Sequence, residues 1–215
     1  MTVIAIDGPA GSGKSTIARA LARRLDIPHV DTGAYYRALT LAVLRAHVEP
    51  TSEDACLEVL SQTDITRKDD HTLLNGDDVE TAIRGGAVDA NVSAVSRHPR
   101  VRKRMVEWQR DEIGPEGAVV EGRDAATVIV PDATLKVWLT AAPAVRAQRR
   151  ASQKGEGGQD EVVARISGEL EARDHADRSY TQRDDDAVEI DTSHGGVADV
   201  VERIVTLLDR DVRRV

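Results

Sequence analysis

The stretch Gly8-Pro9-Ala10-Gly11-Ser12-Gly13-Lys14-Ser15 fits the spacing G-x-x-x-x-G-K-[ST] at every fixed position. Glycines at these points let the backbone wrap so that successive N–H groups face inward at phosphate oxygens. A following helix adds the positive end of its dipole. The apolar run Val3-Ile4-Ala5-Ile6 precedes the stretch, and an amphipathic pattern follows from Thr16 onward. Lys14 is expected to reach the β- and γ-phosphates of a nucleoside triphosphate, and the Ser15 hydroxyl to ligate Mg²⁺. The chemistry these residue types predict is phosphoryl transfer.

Other polar groups fall just after predicted strands. In open α/β sheets ligands gather beyond the carboxyl ends of strands. By that rule Asp31-Thr32-Gly33-Ala34-Tyr35-Tyr36-Arg37 and Arg123-Asp124 share an edge with the glycine-rich loop. Glu121 ends the run Ala118-Val119-Val120 and is a carboxylate suited to organising Mg²⁺ and its waters; a helix-cap neighbour or surface group is the alternative. Arg173 and Asp177, four apart, share one helix face. They read either as substrate contacts or as a solvated ion pair. Arg146 and Arg150 have the same spacing and the same two readings, nucleotide contact or solvent. Charge builds on the oxygens of a transferring phosphoryl group, so arginines gathered at one edge suit a kinase with an anionic acceptor. Asp111 to Gly114 matches D-x-x-G, but within a polar helical stretch, and no Asn-Lys-x-Asp motif accompanies it.

The elements that must position these groups are short. Val3–Ile6, Pro28–Val30, Ala118–Val120, Leu135–Leu139 and Ala187–Ile190 read as strands, with helical spacing between them, as in βαβ units. Ile17, Leu21 and Leu25 mark the first helix. Val197, Val200, Val201, Ile204, Val205 and Leu208 mark the last, roughly 197–210, entered through Gly195-Gly196. Asn75-Gly76 between short β-prone runs signals a hairpin within about 64–84. Ser152–Gln159, rich in glycine at 155, 157 and 158, reads as a hinge or lid margin.

Bulk composition narrows the classes. The chain has 215 residues and a formal net charge of −8, from 37 acidic against 29 basic residues, which argues against a general nucleic-acid binder. It contains no Phe, so a core of Ala, Val, Leu and Ile is expected. The single Cys56 suits a reducing compartment. No signal peptide and no membrane span are expected.

The segments IDGPAGSGKST, DTGAYYR, NVSAVSRHPRVR, EGRDAATVIVPDA, LKVWLTAAPAVRAQRR, RDHAD and EIDTS, in that order across residues 6–193, resemble the bacterial cytidylate kinases. The resemblance implies a nucleoside monophosphate kinase fold, a five-stranded parallel sheet flanked by helices. It also implies a single domain over 1–215, with an acceptor-binding part at about 34–103 carrying the β insertion and a lid at about 150–178. It implies ATP as phosphate donor with Mg²⁺, CMP and dCMP as acceptors, and a monomer in the cytoplasm with no nucleic-acid or membrane partner. Residues Gly8 to Thr16, with Arg146 and Arg150, would hold ATP. Thr32, Arg37 and Arg123 would hold the acceptor's phosphate, Ser93, Arg102 and Asp124 its cytosine, and Arg173 and Asp177 its ribose, with Tyr36 also in the acceptor site. Lys14, Arg123 and Arg173 would act on the transferring phosphoryl group, with Ser15 and Glu121 at the metal.

Three departures stand out. Ala126 occupies a usual glycine position, Tyr180 falls near a second lid arginine that Arg178 or Arg183 could replace, and the family's Ser-Pro-Leu is absent. Kinase action on another small acceptor, or a non-catalytic ATP-binding switch, are the competing expectations.

Overall fold

A computed structural model describes residues 1–68, 70–156 and 160–212. Gly157, Gly158 and Gln159 of the expected hinge lie outside them. The chain divides into two compact units, Met1–Val30 with Ile113–Val215, and Asp31–Glu112.

The first unit is built on a sheet of five strands among the described residues, in the order β2-β6-β1-β7-β8. These are β1 (Thr2–Asp7), β2 (His29–Asp31), β6 (Gly117–Gly122), β7 (Leu135–Thr140) and β8 (Val188–Asp191). Strand β1 runs parallel to β6 and β7, and β7 parallel to β8, with Ile6 opposite both Glu121 and Val137. This is the five-stranded parallel sheet flanked by helices that the sequence predicts. Central strands buried on both faces read as unbroken apolar runs. Accordingly Val3 to Asp7 and all of β6 are buried.

Helix α1 (Lys14–Leu25) sets Ile17, Leu21 and Ala22 into this core, and α8 (Val197–Val212) adds Val200, Val201, Ile204 and Leu208. Val197, expected on the apolar side, is 42% exposed instead. It lies in the first turn of α8, before the buried stripe begins. Helices α6 (Pro143–Gln153) and α7 (Asp160–Asp177) form a separate cluster of Ala147, Ala151, Ile166 and Leu170, against which Ala10 of the phosphate loop packs.

The second unit holds α2 (Thr32–Arg45), α3 (Glu53–Ser61), α4 (Gly86–Ser96) and α5 (Pro99–Asp111) around Tyr35, Leu39, Ile83, Val95, Val101 and Met105. Its small antiparallel sheet comprises β3 (Ile65–Lys68), β4 (His71–Leu74) and β5 (Asp77–Asp78). Asn75 and Gly76 both take positive φ, 52° and 88°, in the two-residue turn between β4 and β5, the conformation an Asn-Gly pair adopts most readily. Asp111 closes α5, in keeping with its reading as part of a helix.

Candidate active site

Between β1 and α1 the chain wraps tightly. Gly13, the N-cap of α1, has φ 93°. A Cβ on Gly8 would stand 2.1 Å from the Leu139 carbonyl oxygen of β7, so position 8 admits no side chain. Lys14 Nζ folds over this turn and donates to the Gly8 and Pro9 carbonyl oxygens, each at 2.9 Å. Burial pushes the Lys14 ammonium down to about 7. Arg123 adds to that effect, while Glu121 and Asp7 oppose it. The Ser12 hydroxyl is buried with no hydrogen-bond partner among the described residues, and Thr16 is exposed on α1.

Ser15 Oγ donates to Glu121 Oε2 at 3.0 Å. Glu121 is 2% exposed, which answers the choice between a surface group and a loop-facing one: it lies against the phosphate loop. Its other oxygen, Oε1, stands 3.0 Å from His29 Nε2 on β2. Sequence reasoning treated His29 only as part of a strand. A hydroxyl and a carboxylate oxygen at one point suit Mg²⁺, which takes oxygen ligands and keeps waters and substrate phosphates for the rest of its shell.

Asp7, at the end of β1, is a second residue that the motif did not flag. Its carboxylate accepts from the Ala125 N–H (2.9 Å) and the Ala126 N–H (2.8 Å), so it shapes the one-turn π-helix at Ala125–Ile129. Burial raises Asp7 to about 6, against the lowering effect of these two amides. Ala126, at the usual glycine position, is itself buried and fits the turn. Asp124, just before this turn, is buried as well.

Arginines from the end of β6 and from α6 reach the loop. Arg123 Nη1 donates to the Gly8 carbonyl oxygen and to Asp174 Oδ1, each at 3.3 Å, and Arg123 Nη2 lies 3.1 Å from Asp177 Oδ2. Arg146 Nη1 donates to the Ala10 carbonyl oxygen at 3.0 Å and to Asp174 Oδ2. Arg173 Nε lies 3.7 Å from Asp177, whose side chain is 4% exposed, so this is no solvated pair. Arg146 joins the loop, whereas Arg150 donates to Gln153 on an exposed face. Arg149 is the neighbour that turns inward: Nη1 donates to Thr192 Oγ1 at 2.9 Å, and that hydroxyl lies 2.8 Å from the Ser12 carbonyl oxygen. After α7, Tyr180 donates its hydroxyl to Asp177 Oδ1 at 2.6 Å. Of the two arginines expected as substitutes there, Arg183 pairs with Glu189 and Arg178 is exposed.

Within the second unit, Asp31 caps α2 by accepting from the Ala34 N–H at 3.0 Å, and its other oxygen takes Arg84 Nη2 at 3.0 Å. Thr32 is buried, and its carbonyl oxygen accepts from Gln109 Nε2. Arg37 is held by the Ile83 carbonyl oxygen (2.8 Å) and by Asp89 (2.6 Å). The Arg102 guanidinium lies 5.6 Å over the Tyr36 ring, and Ser93 is half-buried on α4. Tyr36 and Arg102 are thereby brought together.

Comparisons with known proteins place the chain as a whole. A cytidylate kinase of Mycobacterium avium (strain 104) is 43% identical over 215 residues, covering 96% of this chain and 94% of the relative. One of Desulfitobacterium hafniense (strain Y51) is 40% identical over 216 residues, covering 97% and 93%. Among solved structures, an uncharacterized protein from Eubacterium ventriosum ATCC 27560 shares the fold, with a TM-score of 0.52 at 15% identity and coverage of 97% and 99%. The family model described as "Cytidylate kinase" matches residues 4–210, and the chain belongs to that family.

Proposed function

We propose that this protein transfers the γ-phosphoryl group of ATP to CMP or dCMP, giving CDP or dCDP. The observation that carries the reading is the phosphate loop itself, wrapped around Lys14 with Ser15 and Glu121 joined beside it, in a chain whose relatives are named cytidylate kinases. Residues Gly8 to Thr16 take the triphosphate, with Arg146 and Arg150 as further contacts to ATP. Ser15 and Glu121 would hold Mg²⁺, which would neutralise charge on the phosphates. Lys14, Arg123 and Arg173 spread positive charge around the transferring group, and the acceptor, already an anion, needs no general base.

Thr32, Arg37 and Arg123 are assigned to the acceptor's phosphate, Arg173 and Asp177 to its ribose, and Tyr36 to the acceptor site. Ser93, Arg102 and Asp124 are assigned to cytosine. A carboxylate accepts from the exocyclic amino group of cytosine but meets O4 of uracil acceptor to acceptor. The acceptor-binding part is assigned to about 34–103, including the β insertion at about 64–84, and the lid to about 150–178. No described helix is long and apolar enough to cross a membrane. A monomer acting in the cytoplasm on small nucleotides, with no nucleic-acid partner, completes the reading.

A panel of nucleoside monophosphates in a coupled ADP-release assay tests the acceptor. CMP and dCMP are expected to be phosphorylated with the highest kcat/KM. A higher value for UMP or AMP would reassign the substrate.

A further inference from the structure

One carboxylate near the phosphate loop has no part in the reaction proposed above. Asp174, on the last turns of α7, accepts from the Ala10 N–H at 3.2 Å and from Arg123 Nη1 at 3.3 Å through Oδ1, and from Arg146 Nη1 through Oδ2. A main-chain amide of the phosphate loop and two guanidinium groups therefore converge on a single anion. This is the donor set that phosphate oxygens select, because charge-assisted bonds from arginine and loop amides are the strong ones. Ala10 is 164 residues from Asp174 in sequence, so the contact ties the end of the lid helix directly to the loop.

We infer that Asp174 is a resident anion of the nucleotide site, an affinity-setting residue that the donor's phosphate tail must displace from the Ala10 amide, Arg123 and Arg146. Asp177 plays a different part. Arg173, Tyr180 and Arg123 hold it. Asp174 instead occupies donors on the loop and on its two flanking arginines. Phosphate entry frees α7 from Ala10, and release of the phosphates lets the carboxylate return. Nucleotide binding and movement of the end of α7 are in this way one exchange of anions, with no separate trigger.

The inference rests on the reading of Gly8–Ser15 as the triphosphate loop, and the test separates the two. Binding of ATP and of inorganic tripolyphosphate is measured by calorimetry for the wild type, Asp174→Asn and Asp174→Ala, with folding of each followed by circular dichroism. The exchange predicts that Asp174→Asn, which keeps the shape and removes the charge, binds tripolyphosphate about ten-fold more tightly, or ~1.4 kcal/mol. ATP and the Asp174→Ala variant are expected to shift in the same direction. The KM for ATP falls with no rise in kcat. A carboxylate that merely buttresses Arg123 and Arg146 gives the opposite sign. Wild-type binding with equal or weaker binding by both variants would overturn the inference and leave the loop's role intact. Failure of every protein to bind either probe would remove the loop reading and the inference with it.

Discussion

The Ser15 hydroxyl donates to Glu121 Oε2 across 3.0 Å, joining the first turn of α1 to the end of β6. The opposite carboxylate oxygen is engaged by His29, so the orientation of Glu121 is fixed from both sides. A preset carboxylate is what a cation needs that retains most of its water. Glu121→Gln is expected to raise the Mg²⁺ concentration for half-maximal activity by about ten- to a hundred-fold. Titration of Mg²⁺ at fixed ATP measures it, and an unchanged midpoint would remove Glu121 from the metal site.

Lys14 titrates at about 7 because its ammonium is buried beside Arg123. A polyanion favours the charged form, so nucleotide binding above that pH takes up a proton. Affinity is then expected to fall about ten-fold from pH 6 to pH 8, after correction for the nucleotide's own titration. Calorimetry in buffers of different ionisation enthalpy counts the proton. Binding at pH 8 without uptake would contradict this.

Asp7 makes the converse statement about stability. Its carboxyl is raised from 3.8 to about 6, chiefly by burial, so the folded state holds a proton that the unfolded state has released between those values. Its contribution is fully present below about pH 4 and is lost as pH rises through 6, an effect of about 2–3 kcal/mol. The stability advantage of the wild type over Asp7→Asn is therefore expected to be larger at pH 4 than at pH 7. Urea unfolding at the two values decides, and a gap that widens with pH would show that Asp7 is not raised.

The sequence displays the parts of this site whose signals are local. The phosphate loop is set by contiguous glycines, the five strands by apolar runs, and the turn at Asn75-Gly76 by residues that accept positive φ. Asp174 and Ala10, His29 and Glu121, and Asp7 and Ala126 meet only through the fold, and no periodicity marks them. Arg149 shows a finer limit. Spacing alone puts Arg146 and Arg150 on one face of α6, but the phase that directs a guanidinium to Thr192 belongs to the residue between them. Tyr180, standing where an arginine is expected, bonds to Asp177, the carboxylate that also receives Arg123.

Asp124 tests base recognition. Asp124→Ala is expected to narrow the preference for CMP over UMP by about ten-fold, the scale of one buried unmatched acceptor. The ratio of kcat/KM values measures it, and an unchanged ratio would reject the contact with the exocyclic amino group.

The most direct measurement follows CMP and ATP together with the purified protein by phosphorus NMR. CDP and ADP are expected to appear in equal amounts with the wild type, while Lys14→Ala, folded by circular dichroism, forms neither at a measurable rate. ATP consumed no faster with CMP than without it, and no CDP formed, would contradict the account.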